Sequence, residues 1–151
     1  AKTKLPLLIK VSPESQPIGE LAKAAEAAGA DAISAVNSMG PGIHLDIYAK
    51  KPILHFGMGG VSGPALRPIA ARCVSDIYQS VKIPVIGIGG VTCGRDAIEL
   101  MMLGASAVQV GTAVYYRGAE VFKKITDEIE EYMKQEGFDS INDLIGIAHE
   151  K

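Results

Sequence analysis

Residues 83 to 113 read IPVIGIGGVTCGRDAIELMMLGASAVQVGTA, and they contain two short apolar runs that each end in a glycine turn. Gly89-Gly90 closes the first run and Gly111-Thr112 closes the second. In a parallel sheet with helices outside, such turns expose backbone N–H groups at one rim, where a phosphate can bind. The stretch therefore predicts two βα units whose turns form the two halves of one phosphate site.

The same alternation of apolar runs and helical patterns extends along the chain and predicts a parallel α/β sheet. The predicted strands are 5–11, 31–36, 83–88 and 107–110, and the predicted helices are 18–28, 64–79, 95–103, 119–134 and 140–148. The strands are apolar nearly throughout, which is expected when both faces of a sheet are covered. Four βα units make either half of an eightfold barrel or a small open sheet.

The segment from residue 37 to residue 63 contains six glycines and two prolines, so it is predicted to be a long loop. A loop of this length in a compact domain is usually functional. It ends in the glycine cluster at 57–63, where Ser62 could cap the following helix, bind a ligand, or do both.

The composition narrows the function classes. A length of 151 residues with 48% hydrophobic and 21% charged residues is typical of one globular α/β domain. A net charge of -2 argues against nucleic acid or an anionic membrane as a partner. The two cysteines are too few for a disulfide framework, which favours a reducing, cytoplasmic location. The histidines and cysteines show no metal-ligand spacing, so no metal site is predicted.

The beginning of the chain bears on its completeness. It opens AKTKLPLLIKVSP, with no initiator Met, and a buried-strand pattern has started by Leu5. This beginning indicates a piece of a longer protein.

The ends of the first two predicted strands carry polar residues. Lys10 ends an apolar strand, so its ammonium group must reach solvent, pair with an acid, or meet a bound anion. Asn37 and Ser38 end the second strand and offer donors and acceptors suited to a planar polar ring, although they are also common turn residues. The residues alone leave these alternatives open.

Five motifs follow one another along the chain: Lys10 in LLIKVSP, NSMGPG at 37–42, GGVSGPALRPIA at 59–70, IGIGG at 86–90 and GASAVQVGTAVYYRG at 104–118. Together they resemble the C-terminal half of the soluble, class 1 dihydroorotate dehydrogenases, over essentially the whole chain. The resemblance implies the C-terminal half, about four βα units, of a (β/α)8 TIM barrel, with residues 1–151 as a single FMN-binding half-barrel domain. It also implies FMN-dependent oxidation of dihydroorotate to orotate in de novo pyrimidine biosynthesis.

The resemblance implies a role for each matching position. Lys10 would lie against the N1 and O2 edge of the flavin, where a cation stabilises charge on the reduced ring. Asn37 would hydrogen-bond the pyrimidine substrate, with Ser38 beside it. The remaining implied contacts are with the flavin, from Gly60, Ser62 and Gly63, and with its phosphate, from Gly89, Gly90, Gly111 and Thr112.

The base that takes the substrate proton in this family is a cysteine on a loop of the N-terminal half of the enzyme. Neither Cys73 nor Cys93 falls at that motif, so no catalytic base is expected in this chain.

The motifs point to two possible electron acceptors. GGVSGPALRP and YYRG resemble archaeal class 1B members, which work with an iron-sulfur and FAD subunit, whereas Asn37-Ser38 resembles class 1A, in which fumarate accepts the electrons. Two alternatives to the leading function stay open. One is a related flavin-dependent dihydropyrimidine oxidoreductase, and the other is a non-catalytic phosphate-binding half-barrel that pairs with a second copy through its exposed sheet edges.

Overall fold

The computed structural model describes residues 3–150. In chain order its elements are β1 (Leu8–Val11), α1 (Ile18–Ala27), β2 (Ala32–Ala35), β3 (Met39–Gly42), β4 (Leu45–Asp46), β5 (Lys51–Pro52), β6 (Gly59–Val61), a 3₁₀ turn (Pro64–Leu66), α2 (Arg67–Tyr78), β7 (Val85–Ile88), α3 (Gly94–Met102), β8 (Ala105–Gln109), α4 (Ala113–Arg117), α5 (Val121–Glu136) and two final 3₁₀ turns (Ile141–Leu144 and Ile147–His149).

Four of the strands form the main sheet in the order β1-β2-β7-β8, and every neighbouring pair is parallel. Helices α1, α2 and α3 connect these strands in turn. Lys10, Ser34, Ile86 and Ala107 lie in one row across the sheet. All four carboxyl ends therefore meet at one rim, as the predicted βα alternation requires.

One hydrophobic core lies between the sheet and its connecting helices. On the sheet it is formed by alternate residues of the strands, including Val11, Ile33, Ala35, Val85 and Ala105. The helices contribute the buried side chains of Ile18, Ala22, Cys73, Val74, Ile77 and Leu100. All four strands of the main sheet and all three connecting helices were placed by their apolar periodicity to within about three residues, because this core sets that periodicity.

The edge strands are more exposed than the sequence predicts. Leu8 in β1 is 48% exposed, Ile9 is 38% exposed, and Ala107 and Gln109 in β8 are also exposed. The prediction that both faces of every strand are covered is therefore wrong for β1 and β8, the two edges of the sheet. The side chains of Leu8 and Ala107 lie on the face opposite the core, which matches the interior face of a barrel that these four strands only half enclose.

The segment between residues 37 and 63, which was predicted as one long loop, contains four short strands. It folds into two nested antiparallel pairs, β3 with β6 and β4 with β5. Strands of two to four residues that contain glycine and proline carry too little alternation to be recognised in a sequence. These pairs stand beyond the rim of the main sheet and expose large apolar side chains, among them Tyr48 and Phe56.

The helix boundaries also differ in places. The predicted helix 64–79 begins as a 3₁₀ turn, and α2 starts only at Arg67, which places Pro68 in its first turn, where proline is tolerated. The region 113–117, which was predicted as neither strand nor helix, forms the short helix α4. Residues 140–148 form two 3₁₀ turns rather than one helix, and Ser140 caps the first of them as predicted. Within residues 3–150, no helix has both the length and the apolar character needed to cross a membrane.

Candidate functional site

A cleft of about 200 Å³ opens at the rim where the four parallel strands end. Nine of the ten residues singled out from the sequence line it: Lys10, Asn37, Ser38, Ser62, Gly63, Gly89, Gly90, Gly111 and Thr112. They come from β1 and from the segments that follow β2, β6, β7 and β8. The topology thus brings together five segments that are separated by as many as 100 residues in the chain.

The two glycine turns line this cleft, and their backbone donors have no partner among the described residues. Among the described residues 3–150, no acceptor takes a hydrogen bond from the N–H groups of Gly89, Gly90, Gly111 or Thr112. Unpaired backbone N–H groups that line a concave rim are suited to an anion with several acceptor oxygens. The donor set therefore fits a phosphate group.

The first turn can take its shape only with glycine. Gly90 has φ +73°, and a side chain there would bring its Cβ within 2.9 Å of the Gly63 carbonyl oxygen and against Arg67. Gly63 itself has φ +82° and accepts a hydrogen bond from the Leu66 N–H at 2.9 Å. The first glycine turn is therefore packed directly onto the start of the 3₁₀ turn that leads into α2.

The second turn is more open. A Cβ at Gly111 would meet no atom within 4 Å, and the φ angle of Gly111 lies outside the left-handed region. Its neighbour Thr112 places its hydroxyl 2.9 Å from the hydroxyl of Ser62, which links this turn to the segment after β6. The absence of a side chain at Gly111 thus leaves the cleft clear rather than relieving a clash in the protein.

Lys10 supplies the charge of the site. It is exposed at the rim, and within residues 3–150 no carboxylate lies within ion-pair distance of it. Among the described residues that line the cleft, Lys10 is the one charged side chain. Of the three alternatives for Lys10, pairing with an acid is therefore not observed, and the cleft has a net positive lining.

Asn37 and Ser38 enter the cleft directly after β2. The N–H of Asn37 donates to the Val11 carbonyl at 2.8 Å, which fixes its backbone to the end of β1. Gly60, the tenth predicted residue, does not belong to the lining. It packs on Ser38 instead, because a Cβ at Gly60 would overlap the Ser38 side chain.

The loop that follows the first glycine turn is held by a buried carboxylate. Asp96 is 2% exposed, and its Oδ2 accepts from the Thr92 N–H at 2.8 Å and from the Thr92 hydroxyl at 2.6 Å. Its other oxygen pairs with Arg67, whose Nε also lies 3.2 Å from Glu99. Arg67 thus neutralises a buried negative charge that would otherwise lie near an anion site.

Three polar features of this region were missed in the sequence. Thr92 and Gln109 line the cleft, and Asp96 holds Thr92. Gln109 could have been found, since it is a polar residue at the end of an apolar strand, as Lys10 is. The link from Asp96 to Thr92 spans four residues at a helix start, a spacing that many helices share without functional meaning.

The cysteines lie elsewhere. Cys73 is fully buried in α2, and burial raises the pKa of its thiol despite the adjacent Arg72. Cys93 lies at the start of α3 and lines a groove with Glu128 and Tyr132 on the outer side of the fold. Within the described residues, no three His, Cys, Asp or Glu side chains are grouped so that they could hold a metal ion.

The sequence model of the family described as dihydroorotate dehydrogenase matches residues 1–133. The chain belongs to the dihydroorotate dehydrogenase family. The predicted resemblance is therefore confirmed.

Two archaeal relatives show the likeness in detail. The chain is 53% identical over 146 residues to the catalytic subunit of dihydroorotate dehydrogenase B (NAD(+)) of Pyrococcus horikoshii, and 49% identical over 146 residues to that of Methanothermobacter thermautotrophicus. Each alignment covers 97% of this chain and 48% of the relative. The chain thus spans about half the length of the curated relatives it matches, and the predicted likeness to archaeal class 1B members is confirmed.

Solved dihydroorotate dehydrogenases share the fold. The structure from Eimeria tenella in complex with ferulenol superimposes with a TM-score of 0.81 at 29% identity, over 97% of this chain and 39% of that one. The ligand-free enzyme from the same organism gives a TM-score of 0.80 at 30% identity. The prediction of a parallel α/β half-barrel of dihydroorotate dehydrogenase type is confirmed.

Proposed function

We propose that this chain supplies the flavin phosphate site and part of the substrate site of an enzyme that oxidises dihydroorotate to orotate with FMN. The observation that carries the proposal is the rim cleft. Its lining includes four hydroxyl-bearing side chains, together with four backbone N–H groups and one lysine that have no partner among the described residues. The family to which the chain belongs uses a flavin, and this donor set suits a flavin that ends in a phosphate.

Different residues of the cleft would contact different parts of the cofactor. Gly89, Gly90, Gly111 and Thr112 would bind the phosphate, since their N–H groups have no acceptor among the described residues. Ser62 and Gly63 would lie along the flavin next to the second turn, to which Ser62 is hydrogen-bonded. Gly60 would not contact the flavin itself. It would act through Ser38, because the absence of a side chain at Gly60 makes room for the Ser38 side chain.

Lys10 and Asn37 would act at the reacting end. When bound, FMN accepts a hydride from the substrate ring. The ammonium group of Lys10 stabilises negative charge at the ring edge, because the remainder of the described lining carries no charge to compete with it. The Asn37 amide, fixed through its backbone to β1, donates to and accepts from the polar edge of the pyrimidine, with the Ser38 hydroxyl beside it.

The proton that leaves the substrate needs a base other than the cysteines of this chain. Cys73 is buried in the core and Cys93 lies on the outer side of the fold. We propose that the base is a cysteine in the part of the enzyme that corresponds to the portion of the relatives not matched by this chain. We also propose an electron-transfer partner, because the relatives cited above are named as catalytic subunits of NAD(+) enzymes. Its iron-sulfur and FAD centres are what the resemblance to class 1B members implies.

The proposal is tested on the complete enzyme, which contains this chain and the part that carries the proposed base, by flavin fluorescence and by anaerobic bleaching of the flavin absorption band. We expect FMN to bind and dihydroorotate to bleach it. We also expect Asn37→Ala to weaken the binding of dihydroorotate and to leave FMN affinity unchanged. The control Asn142→Ala, in the 3₁₀ turn Ile141–Leu144, should change neither affinity. Failure to bind FMN would contradict the proposal, and bleaching by dihydropyrimidines but not by dihydroorotate would replace it with the related reductase function.

Electron transfer is tested separately. Dihydroorotate-dependent reduction of NAD⁺ that requires an added iron-sulfur and FAD subunit is the expected result. Reduction of fumarate by the protein without such a subunit would contradict the proposed partner.

A further inference from the structure

The loop from Val91 to Gly94 joins the first glycine turn to α3, and side chains from three elements hold its backbone. Asp96 accepts from the Thr92 N–H, as described above. Arg117 donates from Nη1 to the Thr92 carbonyl oxygen at 2.8 Å. Glu128 accepts from the Gly94 N–H. The loop is thus fixed from α3, from α4 and from α5.

The bond from Arg117 has a particular consequence, because of where Arg117 lies in the chain. Helix α4 begins at Ala113, directly after the second glycine turn, and ends at Arg117. The hydrogen bond from Arg117 to Thr92 therefore connects the helix that follows the second turn to the loop that follows the first. It spans the two halves of the proposed phosphate site.

Helix α4 has few other means of keeping its place. Of its five residues, Ala113 alone is buried, whereas Tyr115 is 92% exposed and Tyr116 is 67% exposed. A helix of this length that buries one alanine gains little from apolar packing. The hydrogen bond from Arg117 is therefore one of the few contacts that hold it, together with the Ser62–Thr112 hydroxyl contact just before its first residue.

Arg117 is in turn held by Glu128. Its Nη2 lies 2.6 Å from Oε1 of Glu128, and its Nη1 lies 3.5 Å from Oε2. The side chains are only 27% and 36% exposed. This bidentate geometry fixes the plane of the guanidinium group and points Nη1 at the loop.

We propose that Arg117, braced by Glu128, is a positioning residue that sets the spacing of the two glycine turns for phosphate binding. The inference rests on the proposed function, since it assigns the ligand of these turns as the phosphate of FMN. Arg117 does not line the cleft, so its effect on the phosphate is exerted through Thr92 and α4.

The test compares FMN with riboflavin, which has the same ring system but no phosphate, by fluorescence titration of the intact protein. For Arg117→Gln we expect FMN to bind about tenfold more weakly, the order expected for one lost charge-assisted hydrogen bond, while riboflavin affinity stays nearly constant. Arg117→Lys, which keeps a charged donor, should recover part of the loss. Arg72→Gln breaks an arginine ion pair on α2 and serves as the matched control, with no effect on either ligand.

The outcomes distinguish a failure of the phosphate site from a failure of the role of Arg117. If the unsubstituted protein binds both flavins equally, the phosphate site is wrong and this inference is wrong with it. If the unsubstituted protein prefers FMN and Arg117→Gln keeps the full preference, only the role of Arg117 is wrong. Equal losses for the two flavins would also contradict a positioning role. Should Arg117→Gln fail to fold, Glu128→Gln must show the same selective loss to a smaller degree, and an undiminished preference for FMN there would overturn the inference.

Discussion

The hydroxyl groups of Ser62 and Thr112 lie 2.9 Å apart, although fifty positions separate the two residues in the chain. This contact joins the segment after β6 to the turn after β8 at the mouth of the cleft. It is the direct link between the nested antiparallel pairs and the second glycine turn. The bond therefore ties the lobe beyond the rim to the proposed phosphate site.

Thr112→Val removes this hydroxyl and keeps the shape of the side chain. We expect the free energy of unfolding to fall by about 1 kcal/mol or less, since one neutral, solvent-accessible hydrogen bond is lost. We expect FMN affinity to fall more, because the hydroxyl and the position of Ser62 are lost together. Thr126→Val, which removes a hydroxyl bonded to the Phe122 carbonyl on α5, is the control. Equal effects of both variants on FMN affinity would contradict this assignment.

Alanine substitutions should separate the two glycine turns. Gly90→Ala should destabilise the fold by about 1–3 kcal/mol, because φ +73° is strained for alanine and the new Cβ approaches the Gly63 carbonyl. Gly111→Ala should leave the melting temperature unchanged, since its Cβ meets open space. Thermal unfolding followed by circular dichroism measures both.

Gly111→Ala should change ligand binding although it leaves stability unchanged. Gly111→Ala should lower the affinity for FMN but not for riboflavin, because the added methyl group occupies space in the lining where the phosphate would approach. A Gly111→Ala protein that melts normally and binds FMN as well as before would show that no anion approaches this turn closely.

The charge of Lys10 is expected to matter for rate rather than for stability. Lys10→Met retains the length of the side chain, and the residue is exposed at the rim. We expect flavin reduction by dihydroorotate to slow about a hundredfold, the order found when one electrostatic stabiliser of developing charge is removed. Stopped-flow absorbance under anaerobic conditions measures this rate. Lys82→Met in the loop before β7 is the control, and a loss in Lys10→Met no larger than that of the control would contradict the role.

The ion pair between Arg117 and Glu128 predicts a dependence of stability on pH. The hydrogen bond from Arg117 lowers the pKa of Glu128 below its ordinary value of 4.5, although partial burial acts in the other direction. A lowered pKa in the folded state means that the contribution of Glu128 is fully present above that ordinary value. It is lost as the pH falls through the pKa of the folded protein.

The stability difference between the protein and Glu128→Gln should therefore be largest above about pH 4.5 and shrink in more acid solution. Urea unfolding at a series of pH values measures it. In an Arg117→Gln background the same substitution should show a much weaker pH dependence. An undiminished dependence in that background would mean that the pKa of Glu128 is set by another group.

The sequence predicted that the ends of the four parallel strands meet at one rim, but it did not predict the antiparallel pairs that follow β2. Lys10, Asn37 and the glycine turns could be placed at one rim because parallel βα units bring all strand ends together. The nested pairs from Met39 to Val61 could not be predicted, since strands this short owe their form to contacts with each other rather than to periodicity. The hydrogen bond from Arg117 to Thr92 could not be predicted either, for a related reason. A surface arginine has many acidic and carbonyl neighbours in sequence, and nothing in the chain marks one 25 residues away as its partner.

A crystal structure of the intact protein with FMN bound would show directly whether the two glycine turns bind the phosphate. We expect the phosphate oxygens to accept hydrogen bonds from the backbone N–H groups of Gly89, Gly90, Gly111 and Thr112, with Lys10 toward the ring. A phosphate bound elsewhere, with these four N–H groups still free, would contradict it.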